Sequence, residues 1–172
     1  MAIDSMTQRA RIVLDDCRGA LIELKDGLQG AQWRRRWITC IVLLRTVGHV
    51  LDKVDAKASN AMRVVVDKAY SQIKQTRPEP LIYWYFIEAD RNLILKEYKI
   101  TAGQGIRAIG GMATYDQFGK LVDSEAGSIE YLYKINTGRF AGRQQHDLVQ
   151  EAIDWWQDYL EKIDKAAAKV VL

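Results

Sequence analysis

The stretch LIYWYFIEADRNLILKEY, Leu81 to Tyr98, decides the fold class. Its first two turns are apolar on nearly every side, through Ile82, Tyr83, Trp84, Tyr85, Phe86 and Ile87, and its second half is rich in charge. A helix apolar all round is buried among other helices, although an aromatic run this short also suits a strand. It follows the joint Arg77-Pro78-Glu79-Pro80, which holds both prolines of the chain and must end any preceding helix, because proline lacks an amide donor and disfavours helix just before itself.

Outward from this stretch, the spacing of apolar residues predicts further helices. Ile12, Val13, Cys17, Ala20, Leu21, Leu24 and Leu28 recur every three or four residues across Ser5 to Leu28, and Gly27 and Gly30 bracket the end. Trp37, Ile38, Ile41, Leu44, Val47, Leu51 and Val54 keep that period from about Ala31 to Val54. Ser59 or Asn60 is placed to cap a third helix running through Ile73. From Ala102 to Gly142 glycines become frequent and helical spacing disappears, with Ile129, Tyr131, Tyr133 and Ile135 alternating with Glu130, Leu132 and Lys134. That pattern predicts two antiparallel strands, Ile106 to Tyr115 and Ser128 to Asn136. A last helix, Gln144 to Lys169, turns Leu148, Ala152, Trp155, Trp156, Tyr159 and Ile163 inward.

The expected architecture is one mainly α domain over residues 1–172: a helical bundle core (1–100), a Gly-rich β-hairpin segment (101–142) between the last two helices, and a C-terminal helix (143–172). At 172 residues the chain can bury a core without disulfides or metals. Its 48% hydrophobic and 27% charged residues exclude intrinsic disorder. Cys17 and Cys40 fall within helical runs, where a free thiol acts as a small buried hydrophobe, and no zinc spacing exists. The polar start, Met1 to Gln8, lacks a signal pattern, and the apolar run Ile38 to Leu44 is too short for a bilayer. A cytoplasmic protein without membrane contact, metal or cofactor is expected. The net charge of +3 does not by itself call for nucleic acid, but it is uneven: 16 Lys and Arg against 12 Asp and Glu up to Tyr98, then 9 against 10.

The polar half of the opening stretch is the strongest candidate for chemistry. At 100° per residue, Glu88, Arg91, Asn92 and Lys96 fall in one sector of a helix, opposite Phe86 and Leu93. Read as plain structure, Glu88 with Arg91 or Asn92 is an ordinary helical pair, and Lys96 and Tyr98 close the helix end. The run also resembles the signature of the HEPN superfamily, the higher eukaryote and prokaryote nucleotide-binding helical bundles. The toxins paired with small nucleotidyltransferase antitoxins carry it as Arg-Asn-x-x-x-His-x-Tyr. Arg91, Asn92 and Tyr98 match in register, and Lys96 stands where histidine is wanted. The resemblance implies metal-independent RNA cleavage by a homodimer, with Arg91 on the phosphate, Lys96 and Tyr98 in the catalytic positions, and Asn92 and Glu88 beside them. Lysine, protonated at neutral pH, holds a phosphate but is a poor base. The partners implied are RNA and an antitoxin-like protein.

Other features carry two readings each. Trp33-Arg34-Arg35-Arg36-Trp37 has the makings of an RNA grip, three guanidiniums between two stacking rings. It equally suits an internal or dimeric match to the acidic stripe Asp147, Glu151, Asp154, Asp158 and Glu161. His49, one turn after Arg45, reads as a satisfied buried histidine, and His146 as a helix cap. Gly103 to Gly111 lacks the lysine and serine of a phosphate loop. Two further functions stay open: a non-enzymatic protein-interaction module, and a small-ligand sensor whose pocket is enclosed by Tyr83 to Phe86 and the hairpin.

Overall fold

The computed structural model describes residues 5–24 and 27–171, without the side chains of Ile106, Thr114, Asp123, Tyr131 and Val171. Residues 1–4 of the polar amino terminus and residues 25 and 26 of the first expected helix lie outside the described residues, as does the Tyr131 side chain of the expected alternation. The chain runs α1 (Gln8–Glu23), α2 (Gly30–Lys53), α3 (Asn60–Gln75), a π-helical segment (Tyr83–Glu88) that continues into α4 (Ala89–Glu97), then β1 (Ala102–Ile109), β2 (Ala113–Tyr115), β3 (Leu121–Ser124), β4 (Ser128–Ile135) and α5 (Gln145–Val171). It is mainly helical, with a few short antiparallel strands. Among the described residues no helix is long and apolar enough to cross a membrane.

Polar pairs fix how the helices run. Arg11 meets Asp164 at 2.9 Å and Arg18 meets Gln157 at 3.0 Å, so α1 ascends as α5 descends. Arg36 pairs with Glu23 at one end of the α1–α2 hairpin, and Asp55 reaches Arg9 and Ala10 at the other. The Asp55 carboxylate accepts both of those backbone N–H groups, at 3.2 and 2.9 Å, and so satisfies orphan donors that the Thr7 side chain leaves uncapped. Ser59 caps α3 as its position predicts, accepting from the Met62 amide at 3.1 Å.

The core gathers Leu14 and Cys17 of α1, Trp37, Cys40, Ile41 and Leu44 of α2, and Leu148, Trp156 and Leu160 of α5 around Phe86 and Ile87. Both thiols are buried, and burial pushes each up to about 12, so they act as hydrophobes and poor nucleophiles. The aromatic run is helix rather than strand, but π-helix. The π-helical segment buries Tyr83, Trp84, Phe86 and Ile87 and leaves Tyr85, at 40%, on its exposed side.

The β segment differs from the two strands expected. β1 pairs with β4 over eight residue pairs, from Ala102↔Ile135 to Ile109↔Ser128, and β2 pairs with β3 in a second hairpin beyond it. The expected strand from 106 to 115 is interrupted at Gly110–Gly111, where a Cβ on Gly111 would sit 2.2 Å from the Glu125 carbonyl oxygen. Burial explains why alternation is a weak guide here. Only the base, at Ala102 and Ile135, enters the core, whereas Ile109, Met112, Tyr115, Phe118, Val122 and Ile129 are exposed.

Candidate functional site

Two helices build the polar ridge that the sequence points to. On α2, Leu44, Val47 and Leu51 face the core, which leaves Arg45, Gly48, His49 and Asp52 along the flank beside them. On α4, Asp90 and Ile94 are buried, and the half-buried Arg91 and Asn92 lie together, the Arg91 guanidinium donating to Asn92 Oδ1 at 3.0 Å. No carboxylate among the described residues forms an ion pair with Arg91. His49 is exposed, which corrects the expectation of a buried, satisfied histidine. Its pKa is lowered, first by partial desolvation and then by the charges of Arg45 and Arg91, with Asp52 opposing. The lowered pKa leaves the imidazole neutral at pH 7, able to take a proton, with the charges of Arg45 and Arg91 acting on it.

The other expected site residues divide sharply. The side chains of Lys96 and Tyr98 are exposed and make no hydrogen bond or ion pair among the described residues, and Tyr98 takes the left-handed conformation (φ 50°) that ends α4. Glu88 turns inward, its Oε2 shut off from solvent with no hydrogen-bond donor among the described residues. Arg34, Arg35 and Arg36 are exposed, but Trp33 and Trp37 are buried, so those indoles cannot stack on a base. Arg36 pairs with Glu23, and none of the three arginines forms an ion pair with the α5 acids, of which Glu151 is held by Arg143 at 2.7 Å. His146 is exposed and lies within α5, and its side chain accepts no backbone N–H among the described residues, so it does not cap the helix.

Two clefts adjoin the ridge. One, of about 280 Å³, opens between α2, α3, α5 and the π-helical segment and is lined by Arg45, His49, Tyr70, Tyr83, Trp156 and Tyr159 among others. Burial pushes the Tyr83 and Tyr159 phenols upward, so both keep their protons at any physiological pH. The other, of about 190 Å³, lies at the base of the ribbon beside Tyr85, Phe86, Asp90, Thr101 and Arg139. The single pocket expected between the aromatic run and the hairpin is thus divided, with Tyr83 facing one cleft and Tyr85 and Phe86 the other.

Asp90 gives the smaller cleft a measurable signature. Burial raises its carboxyl from 3.8 to about 6, against the lowering effect of the Thr101 hydroxyl that donates to it at 2.6 Å. The folded protein thus keeps a proton between pH 4 and 6 that the unfolded chain has released, so stability falls as pH rises through that window and is flat above it. The two-unit difference corresponds to about 3 kcal/mol. Urea titrations of wild type and Asp90→Asn should show their stability difference moving by roughly that amount in favour of the variant between pH 4 and 7. An unchanged difference would mean that Asp90 stays ionised throughout.

His49 and Arg45 are the candidate residues that the sequence alone marks weakly. Their one signal is the i, i+4 placement on the edge of an otherwise apolar helix, and the proximity of Arg91 comes only from packing of α4 on α2. No protein-family model, curated protein or solved structure matches this chain.

Proposed function

We propose that the α2–α4 ridge is the RNA site of a HEPN-like, metal-independent ribonuclease acting as a homodimer in a toxin–antitoxin or defence setting. What supports this reading is the half-buried Arg91 guanidinium, bonded to Asn92 and unpaired with any carboxylate among the described residues, on a helix packed beside the one that carries the exposed His49. Arg91, oriented by Asn92, binds the scissile phosphate, because a planar guanidinium presents paired donors to phosphate oxygens. His49 then supplies the base that Lys96 cannot, taking the proton as the ribose 2′-hydroxyl attacks phosphorus and the bond to the 5′-oxygen breaks. Lys96 and Tyr98, both exposed, extend the ridge as a second cation and a hydroxyl.

Binding and cleavage of single-stranded RNA test the reading together. Affinity should fall as salt rises, since phosphate contacts release counterions, and Arg91→Ala should weaken binding across all sequences and reduce the log–log salt slope by about 1. No RNA binding, or equal cleavage by wild type and Arg91→Ala, removes it.

A further inference from the structure

The larger cleft holds an unusual combination of groups. Its depth is aromatic: Tyr83 and Trp156 are each 2% exposed, and their rings meet edge to face at 6.0 Å. Tyr159 is half-buried and stacks on Trp155 at 5.1 Å with 16° between planes, while Tyr70, 37% exposed, stands at the mouth. Into this aromatic wall comes one charge, the Arg45 guanidinium, 5.9 Å from the centre of the Tyr83 ring.

Arg45 is half-buried and forms neither an ion pair nor a hydrogen bond among the described residues. The carboxylates lining the same cleft are already engaged. Asp52 is held by Lys53 and Arg63, each at 2.7 Å, and Asp67 by Arg63 at 3.2 Å. Both carboxylates of the lining are thus taken up by Lys53 and Arg63, and the Arg45 side chain has no ion pair among the described residues. A partly desolvated guanidinium facing aromatic rings with no counterion is costly unless something supplies the missing anion. Gly48 lets the Trp156 ring and the Arg45 guanidinium pack close against α2: a Cβ there would lie 2.8 Å from the ring and 3.1 Å from an Arg45 nitrogen.

We propose that this cleft is a binding site for a small planar aromatic monocarboxylate, its ring against Tyr70 and Tyr159, the lining aromatics that keep exposed surface, and its carboxylate on Arg45. Size and charge select that class. A volume of about 280 Å³ lies at the small end of ligand pockets and suits one or two fused rings. A phosphomonoester carries roughly −1.5 to −2 at neutral pH, more than the single free charge can match, whereas a carboxylate carries one. The phenol hydroxyls of Tyr83 and Tyr159 add neutral donors at the ring edge. The cleft adjoins the RNA ridge, since His49 belongs to both, so its test reads ligand binding and not RNA cleavage.

Calorimetric titration of the full chain with 2-naphthoate, its uncharged analogue 2-naphthylmethanol and uridine monophosphate tests the proposal. One molecule of 2-naphthoate should bind per chain, at least about tenfold more tightly than the alcohol, the usual worth of a charge-assisted hydrogen bond. Arg45→Gln, checked by circular dichroism to be folded, should bind acid and alcohol alike. The wild-type comparison stands by itself should that variant fail to fold. Equal binding of acid and alcohol by wild type, absence of saturable 1:1 binding, a folded Arg45→Gln that keeps the preference, or tighter binding of the nucleotide would each overturn it.

Discussion

Replacing His49 with glutamine should lower RNA cleavage by roughly a hundred- to ten-thousand-fold, the usual contribution of a positioned general base. Glutamine keeps a hydrogen-bonding end of similar reach but cannot take up a proton near neutral pH, so the loss belongs to proton transfer rather than to packing of an exposed side chain. The pH profile separates the two. Because desolvation and the charges of Arg45 and Arg91 lower the His49 pKa, the wild-type rate should rise with pH through that lowered value and then level off at neutral pH. Arg91→Gln removes one of the two cations, which lets the imidazole protonate more readily, so the acid limb should move to higher pH as the rate falls. A His49→Gln protein that cleaves as wild type does would show that the imidazole is a bystander, and the salt-dependent RNA titration would then stand for binding alone.

How much of this was legible in the sequence follows from which forces leave a one-dimensional trace. Helices that bury one stripe do so at a fixed spacing, so α2, α3 and α5 fall within about two residues of their expected bounds. α1 stops at Glu23, short of the expected Leu28, because the apolar pattern continues into the connection: Leu24 and Leu28 pack on the core without being helical. The π-helical segment leaves no trace of its own, since consecutive aromatic residues read alike in an α-helix and a strand. Strand alternation informs only where one face is buried, and beyond Ala102 and Ile135 the ribbon stands off the core, so its break at Gly110–Gly111 is marked by glycine alone.

The candidate site divides along the same line. Arg91 and Asn92 are adjacent in sequence, so their contact at 3.0 Å is a local matter. His49 lies more than forty positions earlier, and only the crossing of α4 on α2 brings it within reach of the Arg91 charge. Its exposure, too, is set by what does not cover it, which a helical wheel cannot supply. The tryptophans flanking Arg34 to Arg36 show the converse: paired with arginines they suggest base stacking, but Trp33 and Trp37 are both spent on the core.

Replacing Gln145 with leucine should destabilise the fold by about 1–3 kcal/mol, out of proportion to a change of nearly equal volume. Gln145 is 1% exposed and satisfies three partners from three elements: its Oε1 accepts from the Trp33 indole at 2.9 Å, and its Nε2 donates to the carbonyl oxygens of Gly103 at 2.7 Å and Lys134 at 3.3 Å. One amide thus fastens the start of α2 and the first turn of α5 to the paired strands β1 and β4. Leucine would bury an unpaired indole N–H, a desolvation cost of about 1–3 kcal/mol, and would take a second donor from the Gly103 and Lys134 carbonyls, which face each other in the β1–β4 ladder. Trp33→Phe removes the indole donor, so its effect should combine with Gln145→Leu less than additively, by about 1 kcal/mol in a double-mutant cycle. Urea unfolding of the four proteins measures both quantities. A loss under about 1 kcal/mol for Gln145→Leu, or strict additivity with Trp33→Phe, would mean that the strand base and α2 are held independently, and that the ribbon beside the Asp90 cleft is fastened by its backbone ladder instead.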